Sequence, residues 1–515
     1  MPALDMNQTA EIRILFQGIN ETFVDELLIA EELPDSCTQF CSESSINWSL
    51  DYSFSFTDFP DEVALELSSN SHEIDGLLYL NSTLLDERMN DLSVIPARGY
   101  LLSFICLPSF LNNHSWFYVD QEPELLLGRI DFFDDSVTKV WECTSKFGGL
   151  SRAIFFDISS IVYNGITKSA LTATAIDLLK SSIPEMFRDL LGAEESEMIE
   201  ADRQMYENYN IDVLVLTESE CSPCFEGLTQ SFLSLMPWTT WDLSIRYHEL
   251  DAEVRSLLSS RTLSPYGPLN YTWQCPNGTK ESILSDSNVV WDWRETDPIN
   301  EYLSGKLQDY FPGTNLGDKS KIHVAMLIMP ENTTFAGVAG MGAGLCLFSH
   351  GIVIMGVHRS VVNEMGEVGS IYLTNLLRHE IGHWLSLSHH ASLGTIFAKT
   401  LCSMSALCSD FCSYCRDARA RMSYLSYFNL TRSLLMESES VSDSLLADFI
   451  QSTESFYNWD YTVAIQSLMN IHNQIEQSTL TLIVWQVLTG SLIVSVLAFV
   501  VFVMVRKRKI KEVDF

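Results

Sequence analysis

The chain has 515 residues, of which 46% are hydrophobic, and it carries a formal net charge of −36 at pH 7. This length is enough for two or three domains, and the hydrophobic share is that of a globular protein, which excludes long disorder. The acidic balance excludes a nucleic-acid-binding protein, because phosphates need a basic surface, and it suits a solvated ectodomain.

Residues 1 to about 165 predict a β-rich domain. Short runs that alternate apolar and polar residues are separated by Asn, Asp, Ser and Pro, a pattern typical of strands. The clearest runs are Ile12–Phe16, Trp48–Phe54, Gly76–Leu80 and Tyr100–Phe104. No catalytic constellation occurs in this region, so the sequence favours a recognition or spacer domain.

Residues 166–205 predict a helical linker, with helices at Ala170–Lys180 and Met186–Leu191 that lead into an acidic, charged stretch. A buried strand at Ile211–Leu216 follows. After it come the C-x-x-C pair Cys221 and Cys224 and an apolar helix. The order strand, C-x-x-C, helix is also that of thioredoxin-like redox sites, and a local disulfide is the alternative.

The pattern then continues as one predicted domain over 206–425. A helix is expected near Ile299–Tyr310, and the glycine-rich run Gly337–Gly344 has no phosphate-loop pattern, which argues against a bound nucleotide. Strands are predicted at Trp241–Tyr247, Ile322–Ile328, Leu345–Phe348 and Gly351–Met355.

The stretch after these strands contains the pattern H-E-x-x-H at His379, Glu380 and His383. Since residues of an α-helix advance about 100° each, His379 and His383 project about 40° apart, one turn along the same face. Two neutral imidazoles held in this way can bind one Zn²⁺, and Glu380 can take a proton from water bound to it. Beside the histidine face lies an apolar stripe that supports a helix, formed by Leu373, Leu377, Ile381 and Trp384.

A third histidine ligand requires the chain to leave the helix just after His383. In a continued helix His389 would lie on another face, and His390 would lie about 10 Å along the axis, too far to share the metal. The histidines of H-E-x-x-H, together with His389, resemble the H-E-x-x-H-x-x-G-x-x-H motif of the metzincin zinc proteases. The family's glycine is Ser386 here, and a positive φ costs a non-glycine residue roughly 1 kcal/mol or more.

Metzincins also carry a methionine turn beneath the metal, for which Met404 in Cys-Ser-Met is the best match. This Cys-x-Met resembles that of the archaemetzincin branch, whose members hold a second, structural zinc with four cysteines. The cysteines near this point are more compactly spaced, and two disulfides are the alternative. They are Cys402, Cys408, Cys412 and Cys415.

An oxidising compartment is indicated by the even number of cysteines, 12, with Cys37–Cys41 and Cys106–Cys143 as candidate pairs. Nine N-glycosylation sequons agree with this prediction. They start at Asn7, Asn20, Asn47, Asn81, Asn113, Asn270, Asn277, Asn332 and Asn429.

The C-terminal part predicts a membrane anchor. Residues 480–505 are uncharged and apolar, long enough as a helix to span a bilayer, and Arg506–Lys509 follow at once. The positive-inside rule puts the tail 506–515 in the cytoplasm and the preceding chain outside, although no signal peptide is visible at the N-terminus. Residues 426–479 predict two amphipathic helices that form a stalk or a cap on the protease, and Glu439 and Asp443 match the E-x-x-x-D pattern of the gluzincins.

The sequence thus predicts an α+β fold. A metzincin-like catalytic domain, with a mixed twisted sheet and a zinc-binding helix, would follow the β-rich domain and precede the stalk and one transmembrane helix. The predicted function is that of a single-pass, cell-surface zinc endopeptidase acting on peptides or proteins. One alternative is a catalytically inactive binding or adhesion ectodomain, and another is a gluzincin-type protease with Glu439 as the third ligand. The N-terminal domain would in a further alternative be a pro-domain that blocks the site through a cysteine thiolate on zinc.

Overall fold

The computed structural model describes most of the chain up to residue 477. The described residues are 5–41, 44–74, 76–92, 94–111, 113–117, 139–142, 152–187, 206–218, 222–259, 269–274, 280–285, 287–289, 297–313, 318, 320–328, 333–335, 342–347, 352–363, 366–388, 402–406, 410–437, 442–475 and 477.

The first part of the chain places helices between successive strands. Its elements are β1 (Asp5–Gln17), a 3-10 turn (Glu21–Phe23), α1 (Glu26–Glu32), β2 (Ser36–Cys41), β3 (Ser44–Thr57), α2 (Asp61–Ser69), β4 (His72–Ile74), β5 (Leu77–Asn81), α3 (Ser82–Asp91), β6 (Gly99–Ile105), a second 3-10 turn (Ser109–Leu111), β7 (His114–Phe117), β8 (Lys139–Glu142), β9 (Ala153–Asp157), α4 (Ser159–Tyr163) and α5 (Lys168–Met186).

These strands form a six-stranded sheet in the order β2-β3-β1-β6-β9-β8, and a small sheet β4-β5-β7. The four central strands β3, β1, β6 and β9 are parallel, and β2 and β8 run antiparallel at the two edges. β6 and β9 are buried along their whole length, because parallel strands are covered by helices on both faces. Leu171 and Leu178 of α5 belong to the core on one face, and Val63 and Leu67 of α2 to the core on the other.

The predicted β-rich domain over residues 1–165 is therefore wrong in class, since this region is α/β. Continuous apolar runs such as Tyr100–Phe104 are the mark of strands buried on both faces, and such strands require covering helices. Of the covering helices, α5 was predicted at Ala170–Lys180, whereas α2 escaped prediction because five of its nine residues are acidic or serine.

The second part of the chain repeats this alternation and then becomes helical. Its elements are β10 (Asn208–Thr217), α6 (Leu228–Leu235), β11 (Thr240–Glu249), α7 (Ala252–Ser259), β12 (Leu269–Gln274), β13 (Lys280–Ser285), β14 (Ser287–Val289), α8 (Pro298–Gly305), α9 (Leu307–Tyr310), β15 (Lys321–Ile328), β16 (Thr333–Phe335), β17 (Gly342–Leu347), β18 (Ile352–Val357), α10 (Arg359–Asn363), α11 (Gly366–Trp384), α12 (Ser403–Ala406), α13 (Ser413–Glu437), α14 (Asp443–Tyr457) and α15 (461–475).

A five-stranded sheet has the order β11-β10-β15-β18-β17, and β12-β13 and β14-β16 form two small pairs. β11, β10, β15 and β18 are parallel, whereas β17 runs antiparallel to β18 at the edge. Strands and helices predicted at Ile211–Leu216, Trp241–Tyr247, Ile322–Ile328 and Ile299–Tyr310 are all present. One face of this sheet packs on α7 and α8, and the other packs toward α6 and α11.

The C-terminal helices are not the predicted stalk. Phe456, Tyr461, Ile465 and Leu468 are buried in the same hydrophobic cluster as residues from both large sheets. The expectation of a stalk is wrong because the apolar faces of α14 and α15 cover the body of the protein. The overall class is therefore mixed α/β in place of the predicted α+β arrangement.

A buried network of charges joins the first sheet to these helices. Asp417 of α13 accepts hydrogen bonds from Arg152 Nε at 2.9 Å and from the Tyr100 hydroxyl at 2.8 Å. Arg421, one turn further along α13, donates to the hydroxyls of Tyr100 at 2.8 Å and Tyr461 at 3.0 Å. Burial raises the pKa of Tyr100, so its hydroxyl stays protonated and donates to the carboxylate.

The predicted membrane-spanning segment 480–505 and tail 506–515 lie outside the described residues. In the part of the chain that the structure does describe, none of the helices combines the length and the apolar character needed to cross a bilayer. The longest, α13, has 25 residues but carries several charged side chains. The prediction of a single-pass cell-membrane protein, with its N-terminal part outside and its C-terminus cytoplasmic, is corrected accordingly, because the structure does not support it.

Candidate active site

Helix α11 carries His379, Glu380 and His383. The helix is held against the core by the apolar stripe that the sequence predicts, and all four of its residues are buried. These are Leu373, Leu377, Ile381 and Trp384. The prediction of a packed helix with the histidines on a neighbouring face is confirmed.

The imidazole rings of His379 and His383 converge. Their Nε2 atoms are 3.2 Å apart. His379 Nδ1 lies 2.6 Å from the carbonyl oxygen of Ser403, and His383 Nδ1 lies 2.8 Å from that of Leu387. Because a carbonyl oxygen can only accept, each Nδ1 carries a proton, which leaves the two Nε2 atoms as the positions at which these rings can bind a metal.

This arrangement fits a pair of metal ligands. Two Nε2 atoms this close can share a proton in a hydrogen bond or bind one metal ion between them. A tetrahedral zinc ion with bonds of about 2.0–2.1 Å separates two ligand nitrogens by about 3.3–3.4 Å, close to the observed spacing. The carbonyl groups of Ser403 and Leu387 are orienting partners of the kind that zinc-bound histidines commonly have.

Glu380 is buried beside this pair, with 6% of its surface exposed. Burial raises the pKa of Glu380 to about 8, because the charged form loses its hydration. A cation bound nearby would lower this pKa again by favouring the carboxylate. A buried carboxyl group next to a metal site has the character of a general base.

The chain leaves the helix directly after the second histidine. Leu387 N–H bonds the Gly382 carbonyl at 2.9 Å, and Ser386 N–H bonds the His383 carbonyl at 2.7 Å. These two bonds define a Schellman turn over residues 382–387, in which the fifth of the six residues has a left-handed backbone conformation. Ser386 occupies that position with φ 64°. The serine thus adopts the bend that the resemblance assigns to glycine, and the turn brings Leu387 to His383.

The third predicted histidine ligand, His389, lies outside the described residues, as does the alternative ligand Glu439. The turn at Ser386 provides the change of direction that a ligand at position 389 requires, since the helix ends at Trp384.

Met404 packs directly against the histidine helix. A Cβ atom built on Gly382, which lies between the two histidines, would be 2.4 Å from Met404 Sδ and 3.0 Å from Phe411. Met404 is fully buried. Glycine at 382 therefore allows the methionine side chain to approach the helix at the level of the histidine pair.

Three of the four predicted cysteines form a compact, buried group. The sulfur atoms of Cys402, Cys412 and Cys415 all lie within 4.8 Å of one another, and those of Cys402 and Cys415 are 3.7 Å apart. This distance is too long for a disulfide bond, but two sulfurs bound to one zinc are separated by about 3.8 Å. Cys408 lies outside the described residues.

Backbone N–H groups point at these sulfurs. Met404 N and Cys412 N each lie 3.4 Å from Cys402 Sγ, and Cys415 N lies 3.4 Å from Cys412 Sγ. Burial raises the pKa of the Cys412 thiol, so a bound metal would be needed to ionise it. The group has the donor set and spacing of a thiolate metal site.

Ser403 connects the histidine pair to the cysteine group, and the sequence did not identify it as a site residue. It stands between Cys402 and Met404, and its carbonyl oxygen receives the hydrogen bond from His379. The only sequence signal for this role is its place inside Cys-x-Met. The position of one histidine therefore depends on the backbone that the cysteine group holds.

The other predicted cysteine sites are less complete. Cys106 has a free thiol, and burial raises its pKa to about 11. Cys224 has a free, exposed thiol, whereas Cys143 and Cys221 lie outside the described residues.

Comparisons with known proteins give no family. No protein-family model matches the chain, and a search of the curated proteins finds no match.

Proposed function

We propose that this protein is a zinc-dependent endopeptidase. The observation that carries the proposal is the convergence of His379 and His383, whose Nε2 atoms lie 3.2 Å apart while both Nδ1 protons are bonded to backbone carbonyls. This is the arrangement of two neutral imidazole ligands, and the resemblance of the motif to that of the metzincins favours His389 as the third.

The residues divide the work between metal binding and proton transfer. The histidines would hold zinc, which when bound lowers the pKa of a water ligand and polarises a carbonyl group. Glu380 would accept a proton from the attacking water and pass it to the leaving amine. The turn at Ser386 and the carbonyl of Ser403 keep the two imidazole rings in their orientation.

The substrate would be an extended peptide. β17 lies at the edge of its sheet and pairs only with β18 among the described strands. An open strand edge binds an extended chain through main-chain hydrogen bonds, which favours cleavage within peptides over chemistry on small molecules.

The cysteine group supports a second, structural zinc. Cys402, Cys412 and Cys415 supply three sulfurs at the required spacing, and Cys408 is the candidate for the fourth. The main sequence argument for a catalytically inactive binding protein is serine at position 386. That argument loses weight, since Ser386 makes the bend that glycine would make.

The test uses the purified full-length chain. Zinc content is measured by mass spectrometry, alongside cleavage of a mixed peptide library with and without a chelator. We expect chelator-sensitive cleavage, and we expect Glu380→Gln to keep its zinc while losing at least about 100-fold in kcat/KM. Undiminished cleavage in Glu380→Gln, or zinc-loaded protein without any turnover, would overturn the assignment.

A further inference from the structure

The two large sheets have the same topology. The strands β3-β1-β6-β9-β8 of the first sheet correspond in order to β11-β10-β15-β18-β17 of the second, and among the described strands the first sheet has β2 in addition. In both sheets the four parallel strands come first, second, third and fifth along the chain. The fourth strand, β8 or β17, runs antiparallel at the edge. Such a specific order, found twice in one chain, indicates an internal repeat.

The connections between the strands repeat as well. The second and third strands are joined through a helix, an antiparallel hairpin and a further helix in both halves. These elements are α2, β4-β5 and α3 in the first half, and α7, β12-β13 and α8 in the second. A short strand after the third strand then pairs in parallel with a strand of this connection, β7 with β5 and β16 with β14. The sheet topology alone does not require these additions, so their agreement favours two copies of one fold over a chance likeness.

The last strand of each half leads into two matching helices. A helix of five residues, α4 or α10, is followed by a helix of 19 residues, α5 or α11. The apolar stripe of α11 has a counterpart of the same spacing in α5, and all four of its residues are buried. They are Ala175, Leu179, Ile183 and Met186. The sequence LLKSSIPEM at Leu178–Met186 therefore aligns with LLRHEIGHW at Leu376–Trp384, and α5 is the counterpart of the histidine helix.

The positions of the H-E-x-x-H pattern are occupied by Ser181, Ser182 and Glu185 in α5. The hydroxyls of both serines donate to the Leu178 carbonyl of their own helix, at 2.9 Å and 2.6 Å. Serine hydroxyls bonded in this way replace the nitrogen ligands that zinc prefers. Pro184 stands where the histidine helix has its buried glycine, and it is exposed. The counterpart of the histidine pair thus lacks imidazole ligands.

The end of α5 has a different role from the end of α11. Arg421 of α13 donates from Nη1 to the Met186 carbonyl at 3.2 Å and from Nη2 to the Tyr100 hydroxyl at 2.8 Å. Its guanidinium carbon lies 5.5 Å from the centre of the Phe187 ring. The Tyr100 hydroxyl in turn donates to Asp417 of α13 at 2.8 Å. These groups are buried, so the first half holds α13 through charged hydrogen bonds shielded from water.

Helix α13 also contributes to the cysteine group of the second half. Cys415 lies in its first turn, and Cys412 directly precedes the helix. Asp417 and Arg421, which bind the first half, follow within the next two turns. One helix therefore joins the two halves, with its beginning at the cysteine group and its next turns on α5 and β6.

We infer that residues 5–187 are a second copy of the fold of residues 208–388, and that this copy binds no zinc and serves as the anchor of α13. The first half is then a non-catalytic copy of the peptidase fold. Its description as non-catalytic rests on the proposed function, whereas the duplication and the anchoring rest on the topology and on the contacts of Tyr100 and Arg421.

Crystals of the full-length chain test the duplication and the metal together. The chain is loaded with Zn²⁺, dialysed against buffer without zinc, and its diffraction is measured at the zinc absorption edge. We expect the five matched strands to superpose and no zinc peak to lie on side chains of α5. Strands that do not superpose, or a zinc peak on α5, would overturn the inference. If the histidine pair bound no zinc, the proposed peptidase would fall, while the two copies would still be recognised by the superposition.

Hydrogen exchange of the full-length chain tests the anchoring. In Tyr100→Phe we expect the amides of α13 to exchange about tenfold faster or more, because the hydrogen bonds of Tyr100 to Asp417 and Arg421 are lost. Tyr163→Phe is the matched control. The Tyr163 hydroxyl donates to the Leu107 carbonyl within the first copy, so exchange in α13 should not change. Unchanged exchange of α13 in Tyr100→Phe, or equal acceleration in both variants, would show that the first copy does not anchor this helix.

Discussion

Two helix ends in this protein make the same backbone turn with a residue other than glycine at its left-handed position. The turn after α11 has Ser386 there, and the turn after α14 has Trp459, each with φ 64°. At the second turn Asp460 N–H bonds the Ser455 carbonyl at 2.9 Å and Trp459 N–H bonds the Phe456 carbonyl at 3.0 Å. Both are Schellman turns by their hydrogen bonds.

The two turns position different kinds of group. The turn at Ser386 delivers a backbone group, because it brings the Leu387 carbonyl to Nδ1 of His383. The turn at Trp459 positions a side chain, because it places the indole ring 5.0 Å from the guanidinium carbons of both Arg152 and Arg421. At 459 a glycine would lose the ring that the turn positions, whereas at 386 a glycine would still position the same carbonyl. The comparison separates strain that positions a side chain from strain that positions the backbone alone.

Removing the ring at 459 should have the largest effect on stability. Trp459 is buried among Trp48, Tyr100 and two arginines. We expect Trp459→Ala to lower the free energy of unfolding by about 3–5 kcal/mol, because a large buried ring leaves a cavity. Urea denaturation measures this, and zinc content should not change, since the residue touches neither the histidine pair nor the cysteine group. A loss of zinc in the folded variant would show that the two turns are coupled.

Removing the buried carboxylate of Asp417 should lower the stability by nearly as much as removing the Trp459 ring. Asp417 is bonded to Arg152, which also donates to the Trp459 carbonyl at 3.4 Å. We expect Asp417→Asn to cost about 3–5 kcal/mol, because it leaves buried guanidinium charge without compensation. Asp212→Asn is the control, and its cost should be clearly smaller, because its partner Arg246 is partly exposed and keeps its hydration. Equal costs in the two variants would contradict the role given to burial.

The sequence predicted those parts of the fold and site that depend on near neighbours. Buried strands such as Ile322–Ile328 could be predicted because they are apolar along their length and bounded by turns. The histidine pair could be predicted because helical spacing brings its two rings together, and Cys412 and Cys415 could be predicted as neighbours because they lie three residues apart.

Contacts between distant segments could not be predicted in this way. Arg152 and Asp417 are 265 residues apart, and nothing in either segment identifies the other as its partner. The carbonyl of Ser403 is 24 residues from His379 and has no side-chain signature. The sequence could not choose between a stalk and a cap for the C-terminal helices, because the residues that cover their apolar faces come from distant segments of the chain.

A bulky β-branched residue at 386 should disturb the proposed metal site more than the fold. Valine strongly disfavours a positive φ, so Ser386→Val should cost about 1–3 kcal/mol in stability. The turn would open, the Leu387 carbonyl would leave His383, and zinc affinity should fall by about 10–100-fold, as when an orienting partner of a ligand is lost. Competition with a chelator measures the affinity. Unchanged zinc affinity in a destabilised variant would mean that the turn serves only the fold.

The smallest expected effect comes from replacing alanine by glycine at the two turns. It tests the comparison of the turns most directly, because the two residues differ mainly in the cost of a positive φ. At both turns glycine should be more stable than alanine by about 1 kcal/mol, since alanine is strained at positive φ and glycine is not. The free energy of unfolding of Ser386→Gly should therefore be higher than that of Ser386→Ala, and Trp459→Gly and Trp459→Ala should differ by the same amount. Both tryptophan variants should be much less stable than the wild type. Relative to the wild type, Ser386→Gly should be more stable by up to about 1 kcal/mol and should retain its zinc. A lower stability of Ser386→Gly would show that the serine side chain, and not the turn alone, is required at this end of the histidine helix.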